Sequence, residues 1–530
     1  MQAWDVVIVG GSVAGLRAAI AVADHGATVT VLSSGPLSSF SDEAMSCGLA
    51  AASGEVNPSN HAADTIRVGA DLCESDVVIA STNSAVDHLV ELERWGLNIR
   101  RNRNGAPHLG QLPGQTNPRT ASTGDSTLRE VRSILEEQCI KRNIPRRGDV
   151  EILEIVMNDG RASGLIALDV QTGEIYGIQS KSILLAGSGF QSAWNGDGVA
   201  MGTSAYLTLR SGIPLADLEF TSMHPLTVAE TGLCLPLDLL GAGGIVVDSD
   251  GQQMATDDGP DALAQAIIST GGASLDLTGI SRTDSPWFAG VAAALTSRCG
   301  VDCTRESIPL MPIAGPTIGG IPTDASGNVI NGSWDSLLSG LFAAGDAACS
   351  GLHGAALNSG DHLLGALASG SMAGTSAAEH ASHSKHSASS SISIALSEAY
   401  HLHDSILTEA GSGAANFGVI QSSLANTMQS HMGTERNAVG LSRAAAAIQE
   451  LQGTKLSITD TSPVMNTELV SMLRTQGLLS VASAAVSAAL AREESRGTHV
   501  RTDHPDTDSN QANHSLSGSD GSVTSLTLRS

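Results

Sequence analysis

Lysine is scarce in this chain of 530 residues, and its scarcity accompanies a large excess of negative charge. Only four lysines are present, and 54 acidic residues face 28 basic ones, which leaves a formal net charge of −26. A surface of this sign repels nucleic acid and anionic lipid. We therefore expect no nucleic-acid partner, and we interpret the acid excess as adaptation to a salty cytoplasm or an acidic proteome.

Cysteine pairs and long apolar runs are absent as well. The seven cysteines are scattered without a CxxC motif, which argues against a disulfide framework, an internal iron–sulfur cluster or a zinc site. The sequence has no run of about 20 apolar residues, so it predicts no transmembrane helix. Its N-terminal residues predict a strand and not a secretory signal. From the sequence alone we expect a cytoplasmic protein with no metal site.

The most informative feature that is present is VVIVGGSVAGL, which covers Val6–Leu16. Its apolar residues predict a buried strand, Gly10 permits a sharp turn, and Gly15 allows the following helix to pack closely on the strand. The N-terminus of that helix would present backbone N–H groups to a pyrophosphate. A second strand over Ala27–Leu32 completes a βαβ unit and predicts a dinucleotide site. The acidic ribose ligand expected after that strand is absent, because Ser33 stands there.

Changes in composition divide the rest of the chain. Buried-strand patterns followed by glycine recur on either side of a module over 221–321 that is rich in Gly and Asp turns. A Ser- and His-rich stretch over 381–391 reads as a linker. An alanine-rich helical pattern covers 392–502, and the polar tail over 503–530 is expected to be disordered.

Several segments together resemble the flavoprotein subunit of succinate dehydrogenase and fumarate reductase, and its relative L-aspartate oxidase. Their order and spacing hold from residue 5 to residue 508. Besides the N-terminal glycine motif, the matching segments are HLVELERWGLNIRR (88–101), RTASTGDSTL (119–128), RSGIPLADLEFTSMHPLTV (210–228), IPLMPIAGPTIGGIPTD (308–324), GLFAAGDAACSGLHGAALNSGDHLLGALASGSMAG (340–374) and ESRGTHVRTDHPDTD (494–508).

The resemblance implies an α/β fold with three parts. A Rossmann-like FAD-binding domain would cover 1–220 and 322–380, interrupted by an inserted α+β capping or substrate domain and followed by a C-terminal helical domain. Many family members attach FAD to a histidine, which would fall near Ser41 here. Because no histidine lies between His25 and His61, we expect noncovalent FAD.

The resemblance also implies which residues contact FAD. Asp346 stands where the family has Glu after GLFAxG, and would accept a hydrogen bond from a ribityl or ribose hydroxyl. The family segment GGNSLL is SGDHLL here, and its backbone would touch the flavin ring at the N-terminus of a helix that favours the anionic reduced flavin. The implied FAD-binding residues are Gly10, Ser12, Ala14, Gly15, Ser33, Ser46, Cys47, Gly48, Asp197, Asp346, His353, His362 and Leu363.

The residues that the family uses for dicarboxylate chemistry are largely replaced. Pro260, in PDALAQAI, takes the place of the proton-shuttle arginine of RDVVARAI. Leu357 takes the place of the arginine of HGANRLGG, Gly315 that of the histidine of HYxMGG, and Pro236-Leu237 that of a Thr-Glu pair. Proline holds no proton at neutral pH and leucine binds no carboxylate. His224 is retained and is our one catalytic candidate.

Three functions therefore stay open. The main expectation is a subunit that interconverts succinate and fumarate, transfers hydride to flavin N5 and passes electrons to an iron–sulfur subunit. Such a subunit would be cytoplasmic and peripheral on the inner face of the cell membrane, through partners that include membrane anchor subunits. The second is an L-aspartate oxidase-like enzyme. The third is a divergent FAD-binding subunit that has lost dicarboxylate chemistry or takes a less charged substrate.

Overall fold

The structure is a computed structural model that describes residues 2–37, 47–52, 58–411 and 415–529. Its helices are α1 (Val13–Asp24), α2 (Pro58–Val68), α3 (Ser75–Trp95), α4 (Thr127–Lys141), α5 (Ser192–Asn195), α6 (Thr203–Arg210), α7 (Asp238–Gly241), α8 (Pro260–Ser269), α9 (Ala289–Ala294), α10 (Asp361–His383), α11 (Ser390–Thr408), α12 (Phe417–His431), α13 (Ala438–Gly453) and α14 (Thr467–Ala491).

Its strands are β1 (Gln2–Val9), β2 (Val29–Leu32), β3 (Leu49–Ala50), β4 (Leu109–Gly110), β5 (Thr120–Ala121), β6 (Arg146–Arg147), β7 (Val150–Asn158), β8 (Arg161–Asp169), β9 (Ile175–Leu185), β10 (Leu215–Ala216), β11 (Thr221–His224), β12 (Ile245–Val247), β13 (Ala273–Asp276), β14 (Ile308–Leu310), β15 (Ile313–Thr317), β16 (Ile321–Pro322), β17 (Asn328–Ile330), β18 (Leu337–Ala343), β19 (Ala348–Cys349), β20 (Ala415–Asn416), β21 (Glu435–Arg436), β22 (Leu456–Ser457), β23 (Val500–Arg501), β24 (Asn513–Ser517) and β25 (Val523–Thr527).

A sheet of eight strands lies at the centre of the fold. Strands β6, β2, β1, β9 and β18 run parallel in this order, while β8, β7 and β17 add antiparallel pairings. Val6 of β1 lies opposite Val29 of β2 and Ser182 of β9. This arrangement confirms the predicted βαβ unit and the α/β class.

Both faces of β1 are covered, which explains why its sequence is continuously apolar. Val6 and Ile8 pack into a core that includes residues of α1, α4 and α10. Val7 and Val9 belong to a second core that includes residues of α6, α11 and α14. The central sheet is therefore held between two helical layers.

Within the predicted module over 221–321, residues between 226 and 310 share a core of their own, whereas Ala314 and Ile321 pack into the core of the main body. Strands β12, β13 and β14 form a small antiparallel sheet, and its core includes Leu237, Leu263 and Leu275. Cys47 and Leu112 from the body complete the same core. The capping module is thus packed directly against the segment around Cys47.

The expected linker over 381–391 is shorter in the structure. Helix α10 continues through His383 and α11 begins at Ser390, so residues 384–389 join the two helices. Half-buried His380 accounts for part of the difference, because its ring bonds Ser182 and Ser339 and holds the end of α10 on the sheet.

The expectation of a disordered tail over 503–530 is wrong for residues up to 529. Strands β24 and β25 pair as a hairpin, and β24 also pairs with β10. Buried His514 donates from Nδ1 to Asp217 at 2.5 Å and from Nε2 to Glu74 at 3.2 Å. These carboxylates outweigh the effect of burial and raise the pKa of His514 to about 10. The polar composition of the tail predicts disorder, but the tail forms an ordered hairpin because its polar residues are paired inside the protein.

Helix α14 is the one helix of the described chain that is long and apolar enough to cross a membrane by length and composition. Of its most apolar stretch, 67% is buried inside the protein. Core helices of water-soluble proteins have the same character. Its apolar residues, among them Leu478, Val481 and Val486, belong to the core that it shares with β7–β9.

Candidate active site

The turn between β1 and α1 is built so that a pyrophosphate can approach the backbone. Ser12 caps α1, since its Oγ accepts from Gly15 N at 3.2 Å and donates to Ala186 O at 2.8 Å. Gly10 has φ +118°, and a Cβ there would lie 2.1 Å from Ala186 O. The backbone N–H groups in the first turn of α1 have no carbonyl partner within the helix. They also lie at the positive end of the helix dipole.

Helix α10 crosses α1 at very short range. A Cβ at Gly370 would lie 2.4 Å from Ala14 O, and one at Gly374 would lie 2.6 Å from Ala18 O. Glycine is therefore required at both positions of α10. The close crossing fixes the N-terminus of α10 relative to the nucleotide turn.

A small cavity lies between the end of β18 and the start of α10. His362 Nε2 donates to Asp346 Oδ1 at 2.7 Å, and both line the cavity with His353. Burial raises the pKa of Asp346, but the charge and hydrogen bond of His362 outweigh it and hold this pKa below its usual value. Burial, with the charge of His362, lowers the pKa of His353 to about 4. The cavity therefore offers a carboxylate paired with one imidazole beside a second, neutral imidazole.

The segment at Cys47-Gly48 joins the body, α10 and the capping module. Cys47 Sγ accepts from Gly360 N at 3.2 Å, and Gly48 N donates to the two Asp238 oxygens at 3.0 and 3.2 Å. Burial raises the pKa of Asp238 to about 7. Sequence reasoning missed Asp238, although a lone charge inside the apolar run LPLDLL is a sign of a buried, hydrogen-bonded acid.

A second buried pair supports the N-terminus of α10. Asp361 accepts from His61 Nε2 at 2.6 Å and from Thr65 Oγ1 at 2.5 Å. These contacts connect α10 to α2, and the side chains of His61 and Asp361 are 0% and 1% exposed. This pair was not expected from the sequence.

The positions of the missing family arginines lie close together and are apolar. Leu357 packs with Leu72, Phe220 and Ile318. A Cβ at Gly259, next to Pro260, would lie 3.7 Å from Leu357 O.

The carboxylate of Asp261, next to Pro260, accepts three hydrogen bonds, two of them from backbone N–H groups. Asp261 accepts from Ser222 Oγ at 2.7 Å, Met223 N at 2.7 Å and Leu357 N at 3.0 Å. Burial raises the pKa of Asp261 to about 6. This residue, missed from the sequence, ties the capping module to the loop that carries Leu357.

His224 is buried at the end of β11. Its Nε2 donates to Leu235 O at 2.9 Å. Burial lowers its pKa to about 4, so the ring is neutral at physiological pH. A neutral imidazole donates or accepts one hydrogen bond at each nitrogen but supplies no positive charge for a carboxylate.

Several of the implied FAD residues lie close together in the structure. The structure brings together the β1–α1 turn, the end of β2 at Ser33 and the cavity around Asp346, since Gly345 lies against Ala14 of α1. Leu363 is buried in the first turn of α10. Asp197 lies on an exposed turn after α5, where it accepts from Val199 N at 3.0 Å. Ser46 lies outside the described residues, as does Ser41.

Orphaned polar atoms test whether this region fits FAD. Three buried atoms on the loop before α10 have no hydrogen-bond partner within the described structure: His353 Nδ1, Asn358 Oδ1 and Ser359 Oγ. Buried polar groups without partners are rare in native proteins and indicate a polar ligand or water. Together with the helix N-terminus at Ser12, they fit a cofactor with a pyrophosphate at one end and a polar ring system at the other.

Comparisons with known proteins agree with this geometry. Residues 5–363 match a family of FAD binding domains, and residues 421–529 match the C-terminal region of the fumarate reductase flavoprotein. The Mycobacterium tuberculosis fumarate reductase flavoprotein subunit is 30% identical over 95% of this chain and 92% of its own length. The Rickettsia bellii succinate dehydrogenase flavoprotein subunit is 27% identical over 98% and 93%.

A solved structure agrees over the whole chain. The flavoprotein of Escherichia coli quinol fumarate reductase superposes with a TM-score of 0.92 at 26% identity, covering 100% of this chain and 98% of its own. The chain therefore belongs to the family of succinate dehydrogenase and fumarate reductase flavoprotein subunits, and its cofactor is FAD.

Proposed function

We propose that the protein is the FAD-carrying subunit of an oxidoreductase complex, in which electrons pass between the flavin and an iron–sulfur subunit. The observation that carries this proposal is the agreement with family members at both ends of the chain, in the nucleotide turn and in the C-terminal helices. Relatives named as flavoprotein subunits support a complex with further subunits. Through such partners the protein would lie peripherally on the inner face of the cell membrane.

Interconversion of succinate and fumarate is the first candidate reaction, because the similar proteins carry this activity in their names. FAD, when bound, supplies hydride exchange at flavin N5. The chain itself would supply His224 on the substrate side and the paired Asp346 and His362 on the cofactor side. No arginine stands at position 260 or 357 to bind a substrate carboxylate or to carry a proton.

A divergent subunit without dicarboxylate chemistry is the second candidate, favoured by the surroundings of Leu357. Two arginines would each contribute roughly 1.5–3 kcal/mol per charged hydrogen bond to a dicarboxylate. In their place are a proline at a helix start and a leucine inside an apolar cluster. A substrate with fewer anionic groups suits such a surface better than succinate.

The visible spectrum of the purified protein separates these candidates. Under anaerobic conditions, succinate that bleaches the flavin band supports dicarboxylate chemistry. A flavin band that does not change with succinate, yet bleaches with dithionite, supports the divergent subunit. L-Aspartate with oxygen is the third arm, since hydrogen peroxide release would identify an L-aspartate oxidase-like enzyme. Purification of the native protein without any iron–sulfur subunit would contradict the proposed complex.

A further inference from the structure

An apolar cleft lies between the body of the protein and its C-terminal helices, and its volume is about 280 Å³. Strand β7 and helix α6 line it from the body, and α11 and α14 line it from the other side. An engineered apolar cavity of about 150 Å³ holds benzene, so this cleft has room for a ring and a short alkyl chain. Its apolar lining includes Ile152, Leu207, Leu402, Ile406, Leu469 and Leu473.

The cleft lies on the opposite face of the central sheet from the nucleotide-binding helix. Leu207 and Leu469 share a core with Val7 of β1. Ala14 of α1 and Leu363 of α10 belong instead to the core on the other face of the sheet. Of the described residues that line the cleft, none lies in the module over 221–321. The cleft is therefore separate from both the implied FAD site and the capping module.

The two arginines of the cleft already lie beside carboxylates. Arg474 donates from Nε and Nη2 to Glu151 Oε2 at 3.0 and 2.6 Å, and from Nη2 to Ser34 O at 2.7 Å. Arg210 Nη2 lies 4.0 Å from Glu154 Oε2. Because each guanidinium is held near a glutamate, the binding of an anionic ligand is opposed.

Hydrogen-bond acceptors are in excess at the cleft. Burial raises the pKa of Glu154, the charge of Arg210 lowers it, and the charge of Glu398 raises it again, so the two glutamates act on each other. Within the described residues, Glu398 makes no hydrogen bond or ion pair, and the buried Nε2 atom of His403 has no partner. Burial lowers the pKa of His403, so its ring is neutral at pH 7. A buried polar atom of this kind indicates that a ligand or a water supplies a donor inside the cleft.

We propose that the cleft binds an organic cation with an apolar body, such as an arylalkylamine, whose ammonium group lies between Glu154 and Glu398. An ammonium group brings donors and no acceptor, and its charge suits a lining of three glutamates and two arginines. The apolar body would lie against the leucines of α6, α11 and α14. A ligand in this position would hold the C-terminal helices on the body. This inference goes beyond the proposed function and does not depend on the reaction that the protein catalyses.

Three matched probes test the charge of the ligand. 4-Phenylbutylamine, 4-phenylbutanol and 4-phenylbutyrate share one apolar body and carry a cationic, a neutral or an anionic end. Each is titrated into the FAD-loaded protein by isothermal calorimetry, and the unfolding temperature is measured with and without it. We expect one molecule of the amine to bind per chain, about tenfold or more tightly than the acid, because hydrogen bonds to charged groups are the stronger ones. The amine should also raise the unfolding temperature, since it binds the folded state.

Variants separate the cleft from the rest of the acidic surface, which attracts any cation because the net charge is −26. E154Q/E398Q removes two charges and should weaken binding of the amine about tenfold while leaving that of the alcohol unchanged. L473W fills the cleft and should abolish binding of both probes. E450Q is the matched control, since Glu450 is an exposed glutamate of α13 that does not line the cleft. It should bind the amine like the wild type.

Folding of each variant is followed by circular dichroism. If L473W does not fold, L402W takes its place, because Leu402 lines the cleft and is 50% exposed. The proposal is overturned if the amine binds no more tightly than the acid, or if none of the three probes binds. Amine binding that survives in the tryptophan variant would also overturn it, because the cation would then be held by the acidic surface and not by the cleft.

Discussion

The nucleotide end of the cofactor site and the face beneath the capping module are built from different kinds of contact. At the nucleotide end, Gly10 and Gly15 are required by backbone atoms that lie within 2.1 Å of any added Cβ. Under the capping module, Pro260 and Leu357 are apolar, and the side chain of Asp261 holds the backbone N–H of Leu357 at 3.0 Å. Backbone contacts leave a site little freedom to change, whereas side-chain contacts allow substrate chemistry to change inside a fixed fold.

The largest effect on stability should come from a substitution in the turn between β1 and α1. In Gly15→Val, the new Cβ would meet Gly10 O at 2.0 Å, where neither backbone can yield. We expect a loss of more than about 4 kcal/mol in the free energy of unfolding. The measurement is urea denaturation, together with the FAD content of the soluble fraction.

Gly453→Ala is the control for this prediction. Nothing lies within 4 Å of a Cβ at Gly453, which ends α13. Alanine is favoured over glycine in helices by roughly 1 kcal/mol, so this variant should be at least as stable as the wild type. Similar losses in both glycine variants would show that the nucleotide turn is not special.

The second effect in size tests the face beneath the capping module. Leu357→Arg places a guanidinium among Leu72, Phe220 and Ile318, and an unpaired buried charge costs about 3 kcal/mol or more. Leu357→Met keeps the volume and should cost less than about 1.5 kcal/mol. Both are measured by thermal unfolding with and without succinate.

Succinate decides how to interpret the arginine variant. A ligand that binds only the folded state raises its stability. For the second candidate function, a subunit without dicarboxylate chemistry, succinate should therefore stabilise L357R, and more strongly P260R/L357R, but not the wild type. Stabilisation of the wild type would show that a dicarboxylate site survives without these arginines. The comparison between the two regions would then fail.

The sequence was sufficient for the parts of the site that depend on local pattern. The βαβ unit follows from the apolar run and glycines of residues 6–16, because strand, turn and helix there are set by near neighbours. The positions of Asp346 and His362 also follow from motif order. Their contact does not, since the two residues are 16 positions apart and meet only when α10 packs on α1.

Long-range pairing explains what the sequence did not reveal. Asp238 bonds Gly48 across 190 positions, and His514 bonds Asp217 across 297. Nothing near His514 in the sequence indicates a buried partner, so the tail reads as a polar and disordered segment. The composition of a segment indicates how readily it is solvated. It does not indicate which distant carboxylate the segment will bind after folding.

The third prediction concerns pH and the contact between Asp238 and Gly48. Burial raises the pKa of Asp238 from 3.8 to about 7 in the folded protein, so the folded state binds more protons than the unfolded state between these values. Stability from this group is therefore greatest at low pH and is lost as pH rises through 7. Relative to Asp238→Asn, the wild type should gain about 1 kcal/mol between pH 8 and pH 6.

Thermal unfolding at the two pH values measures this difference. Asp261, whose pKa is raised to about 6, changes stability in the same direction but is present in both proteins and cancels. The asparagine amide oxygen can still accept from Gly48 N, so the fold should be kept. A difference between wild type and variant that does not change with pH would show that Asp238 does not titrate in this range.

The smallest expected effect returns to the nucleotide turn and tests whether its side chain matters beside its backbone. Ser12 Oγ caps α1 through Gly15 N, and Ser12→Ala should lower the free energy of unfolding by about 1 kcal/mol. Ser12→Gly should cost only a few tenths of a kcal/mol, because glycine is accepted at helix N-caps. FAD affinity should be nearly unchanged in both, since the phosphate would be held by backbone amides of α1. A marked loss of FAD affinity in Ser12→Ala would show that side chains govern this end of the site too, and the contrast between the two regions would have to be withdrawn.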